Sequence, residues 1–308
     1  MINYAQSQSK VLTDVDALIR AIMSDKTNIN TVMLALNYLY PIMMYYDDSD
    51  LEHTETVRWF IGTAQLLKGD LYPDEVVWDR ESAQRFMDLI QAYRYEFLQS
   101  KAYFQLVESN NTNSLVHYLK QMFDHYSRLL VVRVDLKYKV ESQSKVTVQD
   151  FNDHIGILRD RMRRKKGVFK SLEGYAWALE QGYELNHSNG LHCHLVLLYD
   201  GSKRHKGSFI GQQIVEKWIE ITERLGYYFN CNDPNYLNPF IARNEDGIGM
   251  IHRNDSQQVQ RAINTISYLT TKPDKFEQRL KTKVSGMRTF GHGTYRTKKR
   301  RGLPPITN

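Results

Sequence analysis

The 308 residues hold only two cysteines, Cys193 and Cys231, too few for a disulfide framework or a four-cysteine zinc site, which points to a reducing compartment. The amino terminus, MINYAQSQSK, has no apolar core behind its charge and does not read as a signal peptide. The most apolar stretch, 32–46, is interrupted by Asn37 and Pro41 and is too short to cross a bilayer, so no membrane partner is expected. No Gly-x-x-x-x-Gly-Lys-[Ser/Thr] phosphate loop is present, so no motor of that class is visible. Internal repeats and low-complexity tracts are also lacking.

What is present is ordinary for a folded chain: 42% apolar and 25% charged residues exclude wholesale disorder. The length suits about two domains. The net charge of +6 conceals a division. Residues 1–126 carry 10 Lys+Arg against 17 Asp+Glu, a net of −7, and residues 127–308 carry 31 against 18, a net of +13. Two basic clusters lie in the second half, 159–170 (RDRMRRKKGVFK) and 298–301 (KKRR). An acidic module joined to a basic one points to a polyanionic partner, and nucleic acid is the expected one.

Apolar residues at three and four spacing predict helices over 11–23, 32–44, 57–67, 86–106 and 115–123, separated by turn-rich DKTNIN, YYDDSD, KGDLYPD and ESNNTN. Asp79 and Asn113 read as helix starts. Nothing in residues 1–126 has catalytic spacing, so they are expected to form an all-helical accessory domain. From 129 the period changes. LLVVRVDLKY (129–138) alternates as a half-buried strand does, a helix follows from Thr147, and YAWALE (175–180) and LHCHLVLLY (191–199) predict two more strands. A helix over 210–225, a short strand over 248–252 and a helix over 256–272 complete an α+β domain, expected at 127–293 and followed by a basic tail, 294–308.

His192 and His194 occupy alternate positions of an apolar strand and so share one face, with Cys193 on the other. Two neutral imidazoles side by side are half of a divalent metal site, although the spacing alone also fits core histidines satisfied by neighbours. The preceding strand offers a third ligand, Glu180, with Glu184 nearer the turn as the alternative. A structural zinc site on Cys193 and Cys231 is disfavoured, because Cys193 points away from the histidines. In the last predicted helix, Val259, Ala262, Ile263, Ile266 and Leu269 mark a buried stripe. Tyr268 lies beside it and Lys272 four residues on, a pairing that suits a phenolate nucleophile beside a cation or a plain surface contact.

The combination resembles the HUH endonucleases, in which two histidines and a third polar ligand hold a divalent metal and a tyrosine on a later helix cuts single-stranded DNA. His192-Cys193-His194 is similar to the histidine motif, Glu180-Gln181-Gly182 to the Glu-x-Gly that precedes it, and Tyr268 with Lys272 to the tyrosine motif. The tail Gly286-Met287-Arg288-Thr289-Phe290-Gly291 resembles that of inovirus-type rolling-circle replication initiators of filamentous phages and phage satellites. The likeness spans about 129–293. The family's lysine follows its tyrosine by three residues and here by four. Asn264 and Lys272 stand one turn either side of Tyr268, which leaves one candidate tyrosine.

The resemblance implies an HUH-type antiparallel sheet flanked by helices, with Mg²⁺ or Mn²⁺ on His192, His194 and Glu180 and with Tyr268 and Lys272 as catalytic residues. It implies nicking of single-stranded origin DNA that leaves a 5′-phosphotyrosine and a free 3′-OH, a separate helicase partner and residence in a bacterial cytoplasm. An HUH transposase or relaxase, or a DNA-binding regulator without catalysis, would share these features. The oligomeric state stays open.

Overall fold

The computed structural model describes residues 6–69, 71–182 and 190–296. In chain order the elements are helices α1 (Gln8–Met23) and α2 (Ile29–Tyr46), strand β1 (Leu51–His53), helices α3 (Glu55–Lys68), α4 (Arg80–Ala92) and α5 (Arg94–His125), and strand β2 (Arg128–Tyr138). Helix α6 (Val148–Arg164), strands β3 (Leu172–Gln181) and β4 (Leu191–Asp200), helix α7 (Gly207–Ile221) and strand β5 (Gly226–Asn230) follow. Helix α8 (Pro234–Ala242), strand β6 (Gly249–His252), helix α9 (Ser256–Thr271) and strands β7 (Thr282–Val284) and β8 (Phe290–His292) complete the order. The fold is α+β: an antiparallel sheet flanked by helices, preceded by a helical region.

Helices α1 to α4 bury their own apolar stripes against one another, with Val11, Ile19, Leu36, Phe60 and Phe86 at the centre. Their starts follow local chemistry. Asn28 accepts from the Thr31 amide, and Asp79 and Ser82 form a reciprocal capping box. The predicted helix over 86–106 is interrupted at Tyr93, whose ring stacks on Trp59 with centroids 5.0 Å apart. The expected turn ESNNTN and the helix start at Asn113 are both overturned: these residues lie inside α5. Tertiary contact outweighs the turn preference there. Thr112 bonds the Glu108 carbonyl and the Thr270 hydroxyl of α9, and Leu115, Leu119 and Phe123 pack onto the sheet.

The main sheet runs β5-β2-β4-β3-β8, with β6 also paired to β2. Alternation sorts its side chains into two faces. One face carries Val132, Val134 and Leu136 of β2 with Cys193, Leu195 and Leu197 of β4, covered by α6 and α7. The other carries Val131, Ala176, Ala178, Val196 and Leu198, covered by α5 and α9. Helix α7 stops at Ile221, short of the predicted 225, where Glu223 and Arg224 take positive φ and turn the chain into β5. Strand β8, from the Met-Arg-Thr-Phe-Gly tail, pairs with β3, and a Cβ on Gly291 would lie 2.8 Å from the Trp177 ring. No helix among the described residues is long and apolar enough to cross a membrane.

The helical region is tied to the sheet through buried polar contacts. Gln181 donates to the Ser9 carbonyl (2.8 Å) and to Thr13 (3.2 Å), and accepts from the Lys281 amide (2.9 Å). Strands β1 and β7 form a second small sheet, and Arg279 pairs with Glu55 at 3.1 Å.

Candidate metal centre

Strand register assembles the site. Pairing of β3 with β4 sets Glu180 opposite His192 and Ala178 opposite His194, and pairing of β2 with β4 sets Asp135 opposite His194. Directly opposed residues share a face, so both imidazoles and both carboxylates lie on the side that faces α9. Cys193 lies on the other side in the apolar core, where burial pushes its thiol far up. It is not among the site's donors, and Cys231 is buried and not disulfide-bonded.

Glu180, His192 and His194 each offer a donor atom, all within 4.8 Å of one another. Glu180 Oε2 lies 3.5 Å from His192 Nε2 and 3.4 Å from His194 Nε2. Two ligands about 2.1 Å from one ion are about 3.0 Å apart at an octahedral right angle and about 3.4 Å apart at a tetrahedral one. The spacing therefore fits a shared cation. Oε2 is also buried without a hydrogen bond, an orphaned acceptor aimed between two rings. The far nitrogens are already engaged: His194 Nδ1 lies 2.7 Å from Asp135 Oδ1, and His192 Nδ1 lies 3.2 Å from the Gly190 carbonyl. This orients both Nε2 atoms toward the carboxylate, as partners behind metal-bound histidines do.

The electrostatics separate the two rings. Burial disfavours ionised Glu180, but the two imidazoles and Lys275 outweigh it and hold the carboxyl well below its usual range. Burial lowers His192 and keeps that ring neutral, the form that ligates. Burial also opposes charge on His194, yet Asp135 outweighs it and raises that ring. Asp135 is held below the carboxylate range, despite its burial, by His194 and Arg133.

Helix α9 starts at Asp255, which accepts from the Gln258 amide, and lays Ala262, Ile263, Ile266 and Leu269 on the sheet. Tyr268 is left about half exposed and lines a cavity of about 380 Å³ with Arg133, Tyr236, Phe240 and Asn264. Arg133 reaches from that cavity to Asp135 (3.4 Å), so one chain of contacts runs from Tyr268's cavity through Arg133 and Asp135 to His194. Lys272 is not on the helix. It precedes Pro273, and a residue before proline is forced out of helical conformation; its φ and ψ are −56° and 131°. Its Nζ then lies 3.6 Å from Glu180 Oε2 and donates to Gln278 Oε1 at 2.6 Å.

Glu180, His192 and His194 thus meet on one sheet face with Lys272 Nζ beside them, whereas Tyr268 lines a neighbouring cavity joined to them through Arg133 and Asp135. Glu184, the alternative ligand, and His187 lie outside the described residues, as do 297–308 with the KKRR cluster. The sequence reading missed Asp135, Arg133 and Lys275, which donates to Glu180 Oε1 at 2.6 Å. Asp135 and Arg133 signalled themselves only as charges on a strand's second face, and Lys275 only as a second lysine in TTKPDK. Trp177 and Tyr199 are buried in the core under α6 and α7, and Tyr175 packs against it.

A family model described as the YagK/YfjJ C-terminal domain matches residues 95–293, more than half of the chain, and the chain belongs to that family. No curated protein and no solved structure matches it.

Proposed function

From a YagK/YfjJ-type domain that carries a buried Glu-His-His cluster, we propose a replication initiator that nicks single-stranded origin DNA by tyrosine transesterification. The observation that supports it most is the convergence of Glu180, His192 and His194 on one sheet face under the helix that bears Tyr268. Glu180, His192 and His194 would hold a divalent cation, Mg²⁺ or Mn²⁺, which would supply Lewis-acid charge for the scissile phosphate. The two imidazoles favour Mn²⁺ in that pair.

Tyr268 Oη forms the new bond to phosphorus as the P–O3′ bond breaks. The phenolic proton passes to solvent and the departing 3′ oxygen takes one up. The products are a 5′-phosphotyrosine and a free 3′-OH that can prime synthesis, and the ester retains the energy needed to rejoin the strand. Lys272, held near Glu180 by Gln278, places positive charge beside the reacting phosphate. Arg133 lines the cavity that holds Tyr268 and can meet the same strand's backbone. The chain has no phosphate loop, so unwinding falls to a separate helicase.

The test is to incubate the full chain with Mn²⁺ and a pool of single strands that contains random sequence, then isolate heat-stable protein–DNA adducts and read the captured sequence. A recurrent sequence at the 5′ side of the link, lost in Tyr268→Phe, supports initiation by this tyrosine. Adducts that persist in Tyr268→Phe, or none in the wild type, defeat it. Adducts at transposon-end or transfer-origin hairpins only would reassign the same chemistry.

A further inference from the structure

Four large aromatic side chains stand exposed together beside the site: Phe209 (59%), Tyr227 (56%), Phe229 (41%) and Tyr236 (37%). They line one broad hollow of about 1060 Å³ with Lys206. The hollow's carboxylate, Asp233, is engaged in capping α8 through the Asn235 amide. Strand register explains the placement. Phe229 is opposite Asp135, Asp135 opposite His194 and His194 opposite Ala178, so one row crosses four strands. Tyr227, two residues before Phe229, shares that face. The rings therefore continue the metal-bearing face out to the sheet edge.

They also connect to Tyr268. Phe229 meets Tyr236 edge to face with centroids 4.9 Å apart, and Tyr236 meets Phe240 at 5.2 Å. Tyr236 and Phe240 both line the cavity that holds Tyr268. Exposed aromatic faces with a lysine beside them suit unpaired bases, whose π faces stack on such rings whatever the sequence, and the bases' phosphates suit the cation.

We propose that Tyr227, Phe229 and Tyr236 form a stacking platform for the bases next to the phosphate that Tyr268 attacks. The inference rests on the proposed single-strand cleavage for its ligand, and its test uses binding without cleavage. The probe is a fluorescein-labelled 12-nucleotide oligo(dT), titrated into the full chain in EDTA and followed by anisotropy. The double variant Tyr227→Ala/Phe229→Ala should bind at least tenfold more weakly. Tyr227→Phe/Phe229→Tyr, which keeps both rings, should bind within about twofold of wild type. Both pairs are exposed, so thermal denaturation should be unmoved.

The stacking loss should also survive high salt, where phosphate contacts fade. A 2-aminopurine strand should show quenching on wild type that the alanine pair lacks. Equal oligo(dT) affinity in wild type and the alanine pair overturns the platform, whether or not adducts form. So does a loss of self-association in that pair without loss of oligo(dT) binding, which would assign the rings to protein contact. Platform binding without any covalent adduct in the wild type would instead leave the platform standing and remove the nicking role.

Discussion

The two faces of the main sheet are built from the same three central strands and do opposite things. On the face under α6 and α7, every inward residue of β2, from Leu130 to Tyr138, is apolar and buried. On the other, the apolar pattern holds only at one end, under α5 and α9, where Val131, Ala176 and Val196 sit. Two or four residues further along the same strands it becomes Arg133, Asp135, Glu180, His192 and His194. A buried ionisable group is costly unless paired, and here each is paired with another member of the set. The comparison teaches that polar residues enter this core as one charge-paired group, with Glu180 Oε2 left in it as a buried acceptor without a hydrogen bond, at the end of the face where a tyrosine-bearing helix leaves a cavity.

The sharpest break of that comparison is Tyr268→Phe. It keeps the ring's packing and should reduce covalent adduct formation by about a thousandfold or more, read on denaturing gels, with Mn²⁺ binding unchanged. The reverse case is Phe151→Ala on the apolar face, where a ring with no exposure fills the core. Urea denaturation should show about 3–5 kcal/mol lost, and metal affinity per folded molecule should survive. Third is Asp135→Asn, which keeps the shape but removes the charge behind His194. Mn²⁺ titration should show affinity per folded molecule lower by about 10- to 100-fold, with stability also lost because Arg133 and His194 lose their charged partner, and an equal affinity would show that Asp135 does not support the centre.

The smallest effect concerns Lys281, outside both faces. Its side chain is fully buried, donates to the carbonyls of Glu277 and Arg279, and lies 3.7 Å from Asp16. Burial lowers its pKa to about 8, with Asp16 opposing. An unfolded lysine titrates near about 10.4. Between these values the unfolded chain binds the extra proton, so stability contributed by this group rises with pH through that window. Wild type should therefore gain on Lys281→Met between about pH 7.5 and 9.5 in paired urea titrations. Cys193 and Cys231, whose thiols burial pushes up, act in the opposite sense in both proteins and cancel in the difference.

How much of this was legible depends on whether the deciding contact is local. The alternation in 129–138 and 191–199 fixed two strands to within a residue, and the Thr147 cap placed α6, because period and capping are properties of neighbours. The histidine pair was visible for the same reason. Strand β5 and helix α8 were missed: GYYFN is short, and PNYLNPFIA carries a second proline. The Glu-Ser-Asn-Asn-Thr-Asn segment failed in the other direction, since nonlocal contacts such as that of Thr112 with α9 oppose its turn preference. Asp135 behind His194 depends on the register of two strands about sixty residues apart, which no local pattern encodes. The pairing of Lys275 with Glu180 is nonlocal in the same way.

Gln181 is the immediate neighbour of the candidate ligand Glu180, and its amide is shared by the first helix and the segment that follows the tyrosine. Shortening the chain to the sheet portion would strip the Ser9 and Thr13 acceptors and leave a stranded donor one residue from Glu180. The leading helices thus act as masonry beneath the hearth. An attempt to trim the protein to its sheet portion should loosen the carboxylate it means to keep.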